Sequence, residues 1–259
     1  MESVLLTRDG DIATVTLSNP GKLNALTKGM WREIGAAMRD LSADEALRCV
    51  VLRGAGDQAF AAGADISEFA RERANAGQAR VYGALVHEAI RAVADCRHPT
   101  LALIRGACIG GGLEIASQCD LRISGQSSRF GVPIKNLGLV MAYGELEGLL
   151  SLVGKAVSLE LLLEGRVFDA DEALRKGLVT RVVPDDRVEE EAYATARRIA
   201  DGAPLVARWH KRFVRRLEAQ APPLGEAEMN EGYDCCDTED YRIGVEAFLA
   251  KKKPEFKGR

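Results

Sequence analysis

Between residues 105 and 120 an apolar strand runs into Gly110-Gly111-Gly112 and then into an apolar helix that carries one acid, Glu114. No other stretch restricts the fold as tightly. Three glycines let the main chain lie against another group with no Cβ in the way. The start of the following helix leaves N–H groups unpaired and partly positive. Such a turn holds an anion, or a polarised oxygen, on the backbone itself. Glu114, in the first turn, stands beside whatever is held there.

A second segment has the same character. The strand 49–53 is followed by Phe60-Ala61-Ala62-Gly63-Ala64 and by a helix opened by Asp65 or Ser67. Each loop offers an N–H, so two donors can converge on one oxygen. A tight strand-to-helix turn explains either loop alone; both loops together with Glu114 point to a built site. The other glycine-loop and motif chemistries lack their parts. There is no G-x-x-x-x-G-K-[ST] run, the triple glycine lacks the G-x-G-x-x-G spacing, and neither a G-x-S-x-G elbow nor an H-E-x-x-H pair occurs.

Alternating strands and helices dominate the first two thirds of the chain. Residues 4–8 and 12–17 read as a hairpin broken at Asp9-Gly10-Asp11. A helix over 28–41, the strand 49–53, a helix over 80–94, the strand 100–105, a helix over 113–118 and the strand 121–124 follow. This order implies an α/β fold of right-handed parallel crossovers. From residue 157 the pattern turns helical, with helices expected over 159–163, 169–176, 186–199 and 205–219. A further helix is expected over 145–153.

With 259 residues, 47% of them hydrophobic, the chain can bury a full core; its formal net charge of -3 argues against general nucleic-acid binding. The basic cluster 208–216 reads as a solvated helix face. The N-terminus has no signal-type apolar run and no segment is long and apolar enough to span a bilayer, which leads us to expect a cytoplasmic protein away from membranes. Cys49, Cys96, Cys108, Cys119, Cys235 and Cys236 lack metal-ligand spacing and read as buried thiols, so no metal site is expected.

The glycine loops, together with Asn19-Pro20-Gly21-Lys22-Leu23-Asn24-Ala25-Leu26, Phe130-Gly131-Val132-Pro133, Leu163-Glu164-Gly165-Arg166 and the stretch 244–256, resemble the enoyl-CoA hydratase/isomerase, or crotonase, family over nearly the whole chain. The resemblance implies a crotonase-like ββα spiral core over 1–184 and a helical C-terminal trimerisation region over 185–259. It also implies a homotrimer or a dimer of trimers. The implied substrate is an acyl-CoA thioester, with coenzyme A part of the substrate and no separate cofactor. The backbone N–H groups of Ala64 and Gly111 would hold the thioester oxygen and stabilise an enolate, and Glu114 would act as acid/base. Lys22 and Leu23 would line the adenine end, Ala62, Asp65 and Ile66 the pantetheine, while Phe248 and Lys251 would reach the nucleotide of a neighbouring subunit.

One departure stands out. Where the family's second glutamate should follow Pro133, this chain has Ile134. Glu145, Tyr143 and His87 are the candidates to compensate. Glu145 also has a plain role as the start of a helix, and Asp65 and Asp120 read as acceptors of backbone N–H bonds. Three readings remain open at this point: hydration or double-bond isomerisation, another enolate reaction such as decarboxylation or carbon–carbon hydrolysis, and non-catalytic acyl-CoA binding.

Overall fold

The computed structural model describes residues 2–218, 222 and 225–259, apart from the side chains of 226, 229, 232, 233, 235 and 248. β1 (Ser3–Asp9) and β2 (Ile12–Ser18) form the expected antiparallel hairpin, with Asp9 opposite Ile12. α1 (Lys28–Ala43), capped by Thr27, whose hydroxyl oxygen accepts from the Met30 N–H at 3.2 Å, leads to β3 (Cys49–Gly54), parallel to β2.

From β3 onward the chain repeats one movement: a strand in one sheet, a corner, a three-residue strand in a second sheet, and then helix. β3 turns into β4 (Ala59–Ala61), followed by a short 3-10 helix (Ile66–Glu68), α2 (Phe69–Glu72) and α3 (Ala76–Ala94). β5 (Thr100–Ile104) turns into β6 (Ala107–Ile109) and α4 (Gly111–Gln118). β7 (Leu121–Gly125) turns into β8 (Arg129–Gly131), a 3-10 helix (Pro133–Leu137) and α5 (Tyr143–Glu164). The corner between β5 and β6 needs Gly106: its φ is +62°, and a Cβ there would lie 1.9 Å from the Gln58 carbonyl oxygen. The short strands β4, β6 and β8 escaped the sequence reading because three residues are too few to show a period of two.

The chain continues through β9 (Phe168–Asp169), α6 (Ala170–Arg175), β10 (Arg181–Val183), α7 (Val188–Ala200), α8 (Pro204–Glu218), α9 (Glu226–Asn230), a 3-10 helix (Glu231–Asp237) and α10 (Glu239–Leu249). The two sheets run in the orders β1-β2-β3-β5-β7-β10 and β4-β6-β8-β9, parallel except at the β1–β2 and β8–β9 edges. The expected helices 145–153 and 159–163 are the two halves of α5, broken at Gly154 (φ 71°, ψ 176°).

Alternation along the central strands fills two cores. Val50, Leu52, Ala102 and Ile104 face Trp31, Ile34 and Met38 of α1 and Ile90 of α3. Cys49, Val51, Leu101 and Leu103 face Val188, Ala192, Ala196 and Ala200 of α7. Being buried on both faces, β3 and β5 read as nearly unbroken apolar runs, as parallel strands do. Because α7 covers the far face of the six-stranded sheet, the boundary expected at 184/185 does not separate core from appendage. Val188, fully buried, is worth about 1.5–3 kcal/mol, and the three alanines let α7 lie close against the sheet.

The basic cluster 208–216 also differs from its sequence reading. Lys211 is 8% exposed in its side chain, and its Nζ donates to the His98 carbonyl at 3.0 Å and to Asp120 Oδ2 at 2.7 Å. Arg208 donates to the Glu45 and Leu47 carbonyls, and Arg215 to the Ala94 carbonyl and Asp95. These side chains satisfy carbonyls left over at the ends of helices and strands, which explains why a charged helix face is turned inward. Asp120 accepts from the Thr100 N–H (2.7 Å) and hydroxyl (3.0 Å), in the structural role expected of it.

Candidate active site

The loops that leave the carboxyl ends of β4, β6 and β8 converge on one cavity, the usual place for a site at the mouth of parallel strands. Ala62, Gly63, Ala64 and Ile66 come from the first loop, Ile109, Gly110 and Gly111 from the second, and Pro133, Ile134, Leu137, Leu139 and Val140 from the third. Trp31 of α1 and Tyr82 and Val86 of α3 close it from behind.

The first two loops touch. A Cβ on Gly63 would lie 3.4 Å from the Ile109 carbonyl oxygen and 3.8 Å from the Gly111 nitrogen. Their conformation is pinned from both sides: the Leu26 N–H donates to the Gly63 carbonyl (2.8 Å), the Asp65 N–H to the Leu26 carbonyl (2.8 Å), and the Gly110 N–H to the Gly131 carbonyl (2.9 Å). Gly110 has φ 49° and ψ −117°, a conformation that a side chain would strain, and a Cβ on Gly112 would come within 2.3 Å of the Ala61 carbonyl oxygen. The N–H groups of Ala64 and Gly111 take part in none of the backbone hydrogen bonds among the described residues, and both residues line the cavity.

Glu114, in the first turn of α4, reaches the same cavity. Burial pushes its carboxyl up from 4.5 to about 8; the Glu145 carboxylate adds to the rise, and Arg73 opposes it. Glu145 lines the cavity as well, while its Oε2 accepts from the Ala142 N–H at 2.9 Å. The two readings of Glu145 are therefore compatible: it opens α5 and its carboxyl faces Glu114. Ile134 presents hydrocarbon to the cavity, at the position where the resemblance implies a carboxyl group.

Two candidates stay outside. Tyr143 is 94% exposed and does not line the cavity, because it is the first residue of α5 and projects away from the turn that carries Glu145 inward. His87 lies under Gly144, where a Cβ would come within 1.7 Å of its Nδ1, so it supports the start of α5 and is not part of the cavity wall. Lys251 is exposed on the C-terminal tail and Phe248 lies outside the described side chains. Among the described residues, no group of three or more His, Cys, Asp or Glu side chains is placed to hold a metal ion.

At the mouth, Lys22 Nζ contacts Asp65 Oδ2 (2.7 Å) and Ser67 Oγ (3.0 Å), and Leu23 is half exposed with φ 49°. Asp65 caps the 3-10 helix by accepting from the Ser67 N–H at 3.1 Å; burial raises its carboxyl, but bonds from Lys22 and Ser67 outweigh that and hold it below its usual value. Asn24 Nδ2 donates to the Ala55 (3.0 Å) and Ala59 (2.8 Å) carbonyls and so fastens residues 19–25 over the β3–β4 corner.

Sequence reasoning missed Arg73. Its guanidinium carbon lies 4.7 Å from the centroid of Phe69 and 5.1 Å from that of Tyr82, at the cavity wall. The signal available was the Phe69…Arg73 spacing of four, which on one helical turn brings a ring beside a cation.

The sequence profile of the family described as enoyl-CoA hydratase/isomerase matches residues 7–259. A probable enoyl-CoA hydratase of Rhizobium meliloti is 38% identical, covering all of this chain and 99% of its own; a short-chain-enoyl-CoA hydratase of Clostridium acetobutylicum is 33% identical with the same coverage. The crystal structure of an enoyl-CoA hydratase/carnithine racemase from Magnetospirillum magneticum superposes with a TM-score of 0.97 at 50% identity, over all of this chain and 97% of that one. With that agreement in sequence and in the spiral of paired strands and helices, the chain belongs to the enoyl-CoA hydratase/isomerase family.

Proposed function

We propose that the protein is an acyl-CoA enzyme that adds water across a 2-enoyl thioester through an enolate. The observation that carries this reading is the convergence of two carboxyl groups, Glu114 and Glu145, on the cavity that also exposes the Ala64 and Gly111 N–H groups. In hydration, one carboxyl takes a proton from water as its oxygen bonds to C3. The C2=C3 electron pair moves toward the thioester oxygen, where the two N–H groups hold the charge. The other carboxyl then delivers a proton to C2. Held at about 8, Glu114 is the protonated partner at neutral pH. Preorganised donors of this kind supply several kcal/mol, about 2.7–4 kcal/mol for one oxyanion donor in a well-studied protease.

The hydrocarbon of Ile134 favours a second reading, a reaction that needs one proton-transfer group at the α-carbon, such as double-bond migration or decarboxylation. A crotonyl-CoA hydration assay followed at the conjugated-thioester absorbance, with products identified by mass spectrometry, separates the two. Loss of absorbance with a gain of about 18 mass units, the mass of one added water, supports hydration. Turnover without that gain supports the second reading, and failure to bind any acyl-CoA removes both.

We also propose a homotrimer or a dimer of trimers. Exposed apolar side chains on α5 (Leu150, Leu159, Leu163) and on α8 (Val214, Leu217) are suited to burial between copies. A stable monomer by light scattering at micromolar concentration excludes it.

A further inference from the structure

We infer that the acyl group of the substrate ends in a carboxylate, which the guanidinium of Arg73 binds. This inference rests on the acyl-CoA reading above. Arg73 is the one cationic residue lining the cavity among the described residues. Phe69 and Tyr82, whose ring centroids are 6.2 Å apart at an interplanar angle of 74°, both pack against its guanidinium. Its Nε is buried with no hydrogen-bond partner among the described residues. The acids nearest in sequence are engaged elsewhere, Glu72 with Lys28 at 2.5 Å and with Arg71 at 3.0 Å, and Glu68 with the Lys28 N–H at 2.7 Å.

A guanidinium packed against two rings still has its outer donor edge to offer, and that edge matches a carboxylate in two parallel hydrogen bonds. A plain hydrocarbon chain offers it nothing. Such a chain would remove water from the guanidinium without replacing the lost bonds, an arrangement that costs free energy. The surroundings place the subsite on the acyl side of the thioester. Tyr82 belongs to the same buried cluster as Trp31, against whose ring a Cβ on Gly111 would press at 3.0 Å, whereas Lys22, half exposed and paired with Asp65, does not line the cavity. The substrate class is therefore the coenzyme A monothioester of a short dicarboxylic acid.

The rival role for Arg73 is to offset the charge of Glu114, and equilibrium titrations distinguish the two. The probes are succinyl-CoA and glutaryl-CoA against butyryl-CoA and pentanoyl-CoA, with free CoA as reference, on the full-length protein, Arg73→Met and Arg73→Lys. The wild type is expected to bind at least one carboxylated thioester about tenfold or more tighter than its neutral counterpart of equal length, the range for hydrogen bonds to a charged group. Arg73→Met is expected to abolish that ratio and Arg73→Lys to restore part of it. Equal or tighter binding of the neutral thioesters by the wild type, or a ratio that Arg73→Met leaves in place, overturns the inference. So does an equal loss for free CoA, which would assign Arg73 to a phosphate. If neither class of thioester binds better than free CoA, the acyl-CoA reading itself has failed; a preference for the neutral class sinks only the role of Arg73.

Discussion

The wall built by β6 and α4 and the wall built by residues 133–145 face each other across one cavity, and they are made differently. On the first, Gly110, Gly111, Gly112 and Leu113 are buried, the backbone is tied to Gly131, and Glu114 is held where burial raises its carboxyl to about 8. On the second, Leu137 is half exposed and Val140 is 83% exposed although both line the cavity, beside Pro133, Ile134, Leu139 and Glu145. The first wall has the rigidity that charge stabilisation needs, since donors aimed in advance spend nothing on reorganising. The second, apolar and more exposed, is the wall suited to selecting an acyl group.

The largest effect should come from the rigid wall. Glu114→Gln is expected to lower kcat by about 10²–10⁴ with acyl-CoA affinity nearly retained, measured as separate kcat and KM values. If turnover is untouched, the contrast between the walls collapses, because the chemistry then lies elsewhere. Glu145→Gln is expected to cost a comparable factor if the second wall contributes chemistry. The double variant should then be little worse than either single one, since both act on one proton path. A Glu145→Gln variant that only loosens the start of α5 would lose some stability and hardly any rate.

How far each wall was legible follows from its construction. Gly110, Gly111, Gly112 and Glu114 form a short contiguous signal, because a strand, a turn and a helix start must follow one another in sequence; the strands 49–53 and 100–105 were plain for the same reason. Glu145 was found only as a candidate, since whether a helix-opening acid turns toward a cavity depends on the Ala142 N–H and on α5 as a whole. Tyr143 and His87 show the limit: one residue along the turn separates exposure from the cavity, and His87 turned out to fill the space that Gly144 leaves. The inward face of α8 depends on contacts between elements distant in sequence, Lys211 with Asp120, which no local period reveals; for Arg73 the spacing from Phe69 was a local sign, but its contact with Tyr82 depends on how α3 packs.

The pH dependence tests the electrostatic side of the contrast. A carboxyl raised from 4.5 to about 8 in the folded protein binds a proton there that the unfolded chain has released, so between those values stability falls as pH rises. Glu114→Gln removes that cost. At pH 8 the variant is expected to be more stable than the wild type, by on the order of 2–4 kcal/mol in denaturant titrations, and near pH 4 the two should be alike. If Glu114 works as the acid, kcat falls as pH rises through about 8. Glu145→Gln takes away a charge that raises the Glu114 carboxyl, so the residual activity of that variant should lose its alkaline limb at lower pH.

The smallest expected effect lies at Tyr143. Being 94% exposed, and next to the Gly144 that rests on His87, its phenol has neither buried area nor a cavity contact to lose. Tyr143→Phe should leave kcat and KM within about twofold, and stability within about 0.5 kcal/mol, the usual range for a surface change. A tenfold or greater loss of kcat in Tyr143→Phe with KM unchanged would mean that the phenol donates a proton in the reacting state. The second wall would then have to move inward on binding, and the division between a rigid chemical wall and a more exposed selective one would no longer hold. Comparing the two kinetic constants on one neutral and one carboxylated thioester sharpens the outcome further. A change confined to one substrate would assign Tyr143 to selection, and an equal change in both would assign it to the chemistry.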